Sequence, residues 1–152
     1  MIGFGFCLWW KISNHSLMQI AKHFSDKFNT TTFEPHISIR TKMSFVPSQL
    51  PYPTKTLYCT KKIRATKEYI PSWNKHFYAL ELPMEINDHY LPINAHISLA
   101  YRFDRPFSSN DIVYAQEYLN KVGKYHTITK NQIKVEVYDV RKDDISLWHA
   151  VK

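Results

Sequence analysis

Two cysteines, Cys7 and Cys59, are the only thiols in the chain, and they stand in strand-like contexts without C-x-x-C spacing. Neither a disulfide framework nor a cysteine-based zinc site is signalled, and a reducing cytosol is the expected compartment. Long hydrophobic runs are missing too. The opening stretch MIGFGFCLWWKI is apolar but too short to span a bilayer. It lacks a positive n-region, and its alternation and early glycines read as a core strand rather than a signal peptide. The carboxylates form no convincing cluster of the kind a catalytic metal needs, so no metal or cofactor is expected. Short-period repeats and low-complexity tracts are also lacking. Acidic residues are the minority charge, 13 Asp and Glu against 20 Lys and Arg, a formal net charge of +7. That balance favours an anionic partner such as a nucleotide, a nucleic acid or an acidic membrane surface.

What is present fits one globular domain over 1–152: the 152 residues are 44% hydrophobic, enough to bury a sizeable core. Ile2 to Ile12 reads as a strand, and Asn14 or Ser16 as the cap of a helix. Leu17, Ile20, Ala21, Phe24 and Phe28 recur at helical spacing and give that helix one apolar stripe, which fades before the turn residues Asn29 to Thr32. The three prolines of Pro47 to Pro53 predict a loop. Thr56 to Thr66 and His76 to Leu82 read as strands of a mainly antiparallel sheet, separated by the turn-like PSWN. After the strand His96 to Phe103, Ser108 to Asp111 resembles a capping box. A second helix follows, with the stripe Ile112, Ala115, Gln116, Leu119 and Val122 and a stop at Gly123. Strands Gln132 to Val140 and Ile145 to Val151 complete an α+β reading in which two similar halves face a shared cleft.

The most informative feature is a near repetition. PHISIR, Pro35 to Arg40, returns as AHISLA, Ala95 to Ala100. Side chains two apart on a strand share a face, so His36 with Ser38, and His96 with Ser98, each set an imidazole beside a hydroxyl. Composition alone yields about 0.2 units of the form His, apolar, Ser or Thr, apolar, so two are improbable by chance. If both strands meet, two imidazoles and two hydroxyls oppose each other across a small gap. Phosphodiester cleavage needs that set: a base for the attacking oxygen, an acid for the departing one, and donors for the phosphoryl oxygens. An ordinary imidazole pKa of about 6.5 lets one ring be neutral while the other is protonated near neutrality.

PHISI and AHISL resemble the paired His-x-Ser/Thr motifs of the 2H phosphoesterase superfamily, and the likeness extends over nearly the whole chain. It implies a bilobal, duplicated fold with two mainly antiparallel sheets around a central cleft and flanking helices. It also implies a metal-independent phosphodiesterase with His36 and His96 as acid and base and Ser38 and Ser98 as phosphate donors. Length, basic charge and the aromatic N-terminal strand are most similar to the anti-CBASS nucleases of bacteriophages. That likeness implies cyclic di- and trinucleotide messengers of bacterial immunity as substrates, opened in the host cytoplasm with no obligatory protein partner and no membrane attachment.

Stacking faces for bases are expected among Trp9, Trp10, Trp73 and Trp148. Trp9 and Trp10 must point to opposite sides of their strand, and Trp10 is the one favoured for the cleft. Tyr101 reaches the cleft only if its strand ends or bulges near Ala100, since strict alternation turns it away from His96. Glu136 could accept bonds from a base edge or sit on a solvated strand face. Arg40 and Arg102 are placed to hold phosphate or to pair with a carboxylate, and the run Lys61 to Lys67 to draw anions in or simply to face solvent. The other six histidines lack the repeated context. An RNA 2′,3′-cyclic phosphodiesterase is the alternative enzyme, and an RNA-binding module with structural histidines is the non-enzymatic alternative.

Overall fold

The protein, examined as a computed structural model, is described over residues 3–31, 33–103 and 105–151. Among those residues the elements run β1 (Phe6–Ile12), α1 (His15–Phe28), β2 (His36–Met43), β3 (Leu57–Tyr58), β4 (Arg64–Ile70), β5 (Lys75–Pro83), β6 (His96–Arg102), α2 (Ser109–Lys121), β7 (Thr127–Ile128), β8 (Ile133–Asp139) and β9 (His149–Ala150). Seven strands form one antiparallel sheet in the order β4-β5-β6-β2-β1-β8-β9, and β3 pairs with β7 in a separate two-stranded ribbon. The α+β class therefore holds. The two sheets expected to flank a cleft are instead one continuous sheet, joined where β2 and β6 pair at Ile37 and Ile97.

The sheet has two unlike faces because its strands alternate. Leu8, Trp10, Ile37, Leu80, Leu82, Ile97 and Leu99 point to one side, where they share a buried core with Leu17, Ile20, Phe24 and Phe28 of α1 and with Ala115 and Leu119 of α2. A fully buried aliphatic or aromatic side chain is worth about 1.5–3 kcal/mol, so this side holds the fold together. The other side carries the His-x-Ser units.

The first helix forms as read. Asn14 caps it by accepting from the Leu17 amide at 3.0 Å, and Asn29 ends it in the left-handed region at φ 54°. All five apolar stripe residues are buried. Ser108 and Asp111 make a complete capping box on α2. That helix ends with Val122 as an extended cap, one residue before Gly123.

Three boundaries differ from the sequence reading. Ile2 and Thr32, ends of the expected first strand and first turn, lie outside the described residues; β1 starts only at Phe6, after Gly3 and Gly5, whose φ values of 57° and 64° form a turn. The expected strand Thr56 to Thr66 is split: β3 covers only Leu57 and Tyr58, the exposed Lys61 and Lys62 turn the chain, and β4 starts at Arg64 and runs on to Ile70. Ile145 to Val151 opens as a 3-10 turn, since the Asp144 side chain accepts from the Ser146 amide at 3.0 Å and takes up a backbone donor a ladder would need.

Candidate active site

The centre of the sheet is where the repeated units meet. β2 and β6 are antiparallel with Ile37 opposite Ile97, so the His-x-Ser units run past each other in opposite directions. Each unit is followed by a bulge at the third residue after its histidine. Along β1, Leu8 faces Arg40 but Trp9 faces Ser38, which leaves Ile39 extra; along β5, Leu80 faces Ala100 but Glu81 faces Ser98, which leaves Leu99 extra. A bulge reverses the alternation beyond it. Tyr101 is thereby returned to the face of His96 and Ser98, fulfilling the condition on which its cleft position depended.

That face holds a cleft of about 570 Å³, lined by Ser38, His96, Ser98 and Tyr101, by the rings of Trp9 and Trp148, and by Arg40, Lys42, Arg64 and Lys67. The volume falls in the usual range of small-molecule sites, about 300–1,000 Å³. His96 stands at its wall with 29% of its side chain exposed. Its Nδ1–H donates to the Asn94 carbonyl at 2.9 Å, and its Nε2 is 2.9 Å from Oε2 of Glu81. Glu81 is buried and also accepts from Arg64 at 2.8 and 2.6 Å. Burial opposes charge on both partners, yet the His96–Glu81 pairing outweighs it: the His96 pKa is raised and the Glu81 pKa lowered. His96 is therefore held as an imidazolium against a carboxylate.

His36 is placed differently. Its side chain is 1% exposed and does not line the cleft. It stacks on Trp9, with ring centroids 3.6 Å apart and planes 16° from parallel. Its Nδ1–H donates to the Glu34 carbonyl at 2.8 Å, which leaves Nε2 as the acceptor of the Tyr101 hydroxyl at 3.1 Å. Burial, reinforced by the charges of His96 and Lys11, pulls its pKa down to about 3 against a bond from Glu34 that favours the proton. The expected symmetrical pair of imidazoles across an open gap is thus corrected: one lines the cleft, and the other lies beneath it, covered by Trp9 and by the tyrosine the bulge brings over.

Of the remaining candidates, Ser38, Ser98, Tyr101 and Arg40 reach the cleft, and four do not. Trp10 is fully buried on the helix side, its Nε1–H donating to the Pro51 carbonyl at 3.0 Å; the strict alternation of β1 gives the cleft to Trp9 instead. Trp73 packs edge-on against Phe4 and Phe103 and donates to the Arg141 carbonyl, which holds it outside the cleft. Glu136 is tied to Lys11 at 3.1 Å and Lys134 at 3.5 Å and does not line the cleft. Arg102 also turns away: it donates to the Phe28 carbonyl and lies over the Phe107 ring, 4.3 Å from its centroid. From the run Lys61 to Lys67, Arg64 and Lys67 do line the cleft.

Glu81 is the residue of this candidate site that sequence reasoning missed. Its signal was there, a single carboxylate between leucines in ALELP, which alternation sends to the face opposite the core. Among the described residues, no group of three or more His, Cys, Asp or Glu is arranged to hold a metal ion, and no helix is long and apolar enough to cross a membrane. Comparison with family models finds no match, and comparisons with curated proteins and with solved structures find none either.

Proposed function

We propose that the protein is a metal-independent phosphodiesterase of the 2H type, with a duplicated bilobal fold. The observation that carries this reading is the meeting of both His-x-Ser units at one pair of residues, Ile37 and Ile97, beside a basic, aromatic cleft. The matched bulges at Ile39 and Leu99 and the matched pairings of Trp9 with Ser38 and Glu81 with Ser98 support the duplication. His96, protonated through Glu81, is the acid for the leaving oxygen. His36, neutral, belongs to the base side. Ser38 and Ser98 donate to the non-bridging phosphoryl oxygens, while Arg40 and Lys42 attract the phosphate to the rim.

The substrates in this reading are 3′,5′-linked cyclic di- and trinucleotides, of the kind bacterial defence uses as messengers and phages destroy. Trp148, half-buried at the cleft, offers a ring surface of the sort on which bases stack, whereas Trp9 is taken up by its stacking on His36 and Tyr138. If a ribose 2′-hydroxyl attacks, the product is a 2′,3′-cyclic phosphate that water then opens.

The test is incubation of purified protein with cyclic GMP-AMP, cyclic tri-adenylate, linear RNA and 2′,3′-cyclic nucleotides in excess chelator, with products identified by mass. Opening of the cyclic oligonucleotides is the expected result. Turnover confined to 2′,3′-cyclic nucleotides or RNA ends would move the assignment to RNA processing. RNA binding without any turnover would replace the enzyme with a binding module.

A further inference from the structure

We infer that Tyr101 is a proton relay, carrying the nucleophile's proton from the cleft to the buried His36. The inference rests on the proposed phosphodiester cleavage and assigns a catalytic role in it to a hydroxyl.

Three observations converge on this residue. Tyr101 lines the cleft and His36 does not. The Tyr101 hydroxyl donates to His36 Nε2 at 3.1 Å, the only ring nitrogen left to take a proton once Nδ1–H is committed to the Glu34 carbonyl. On the cleft side the Ser98 hydroxyl donates to the same tyrosine oxygen until a phosphoryl oxygen takes its place as acceptor. Ser98, Tyr101, His36 and the Glu34 carbonyl thus form one continuous line of donors and acceptors, from a serine of the repeated unit to a fixed backbone oxygen.

The proton movements balance. As the attacking oxygen bonds to phosphorus, its proton passes to the Tyr101 oxygen, and the proton already on that oxygen passes to His36 Nε2. The bond from phosphorus to the leaving oxygen breaks, and that oxygen takes the Nε2 proton of His96, replacing Glu81, to which the same N–H is bonded in the free protein. His36 ends as an imidazolium and His96 as a neutral ring, which water attack on a cyclic phosphate intermediate, run through the same groups in reverse, restores.

The charged groups facing this line are Lys11 from β1, Glu81 from β5 and His96 from β6. The positive charge on His96 opposes a proton on His36. Loss of the His96 proton to the leaving oxygen removes that opposition, so the two transfers assist each other.

Tyr101→Phe keeps the ring and its packing against Phe33 and Phe77, at 4.3 and 4.7 Å between centroids, and removes only the hydroxyl. The expected result is a fall in kcat of about a hundredfold or more with KM little changed. His36→Gln should give a similar loss, and the double variant should be no worse than either single one. Replacement of Tyr101 by 3-fluorotyrosine, nearly the same shape with a more acidic hydroxyl, should shift the pH–rate profile. Full turnover by Tyr101→Phe, or an unmoved profile with fluorotyrosine, would overturn the relay while leaving the reaction assignment standing. A deep loss in Tyr101→Phe beside an active His36→Gln would show that the hydroxyl acts without the buried ring and would overturn it equally. Wild-type protein that opens no phosphodiester at all would remove the reaction and the relay together.

Discussion

The two central strands, β2 and β6, begin with the same three residues and bulge at the same place, yet they hold their histidines in opposite states. Across from Ser38 stands Trp9; across from Ser98 stands Glu81. An indole stacked on His36 excludes water and offers nothing to a proton, so the ring stays neutral far below its ordinary range. A carboxylate on His96 does the reverse. One residue on each neighbouring strand thus separates two identical tripeptides into a buried neutral ring and a cleft-lining charged one. A repeated motif sets the positions of the groups, and the strand beside it sets their protonation.

That contrast is breakable by experiment. The largest expected effect is on stability. The folded His36 takes its proton near pH 3, whereas the unfolded chain takes it near 6.5. Between those values the unfolded state binds the extra proton, so stability is lost as pH falls through the window, by up to the order of 5 kcal/mol from this ring. His96 has the opposite sign: its contribution is complete below 6.5 and is lost as pH rises through its raised pKa. Glu81 adds a loss on the acid side, as pH falls through its lowered pKa. Urea denaturation of wild type and His36→Gln at pH 4.5 and 7 separates the terms, and equal acid sensitivity in both proteins would contradict the burial argument.

Next in size is the proposed acid. His96→Ala should lower turnover by at least about a hundredfold at neutral pH while the circular dichroism spectrum is unchanged; undiminished turnover would end its role. A milder change sharpens the cause. Glu81→Gln keeps the shape and removes the charge, so the pKa of His96 should fall and the alkaline limb of the rate profile should move to lower pH. A loss of about tenfold at pH 7.5 is expected, and an NMR titration of the His96 ring checks the mechanism directly. The smallest effect belongs to the rim. Arg40 is exposed at the rim of the cleft, so Arg40→Ala should raise KM a few-fold at low salt, with the difference shrinking as salt is added. A salt-independent change would point to a direct bond with the substrate instead.

Much of this was legible beforehand. Asn14, the stripe from Leu17 to Phe28, the loop of prolines and the Ser108 capping box were readable because each acts within a few residues of itself. His36, Ser38, His96 and Ser98 stood out by repetition. Trp10 was misplaced because alternation says only that Trp9 and Trp10 face opposite ways, not which face is the core. Tyr101 was conditional because a bulge depends on how β5 pairs with β6. Glu81 escaped because its partners, Arg64 and His96, lie 17 and 15 residues away on separate strands, although a carboxylate set between two leucines was a cue.

The amino-acid sequence by itself determined both helices, most strands of the large sheet, the α+β class, and the presence of two like units able to supply imidazoles and hydroxyls, since these depend on local periodicity and chemistry. The tertiary structure alone decided that the units meet at Ile37 and Ile97, that one histidine is buried under Trp9 and Tyr101, and that the other is charged by Glu81. Register and bulges set those outcomes, and they follow from long-range pairing, in which a slip of one residue turns every following side chain to the other face.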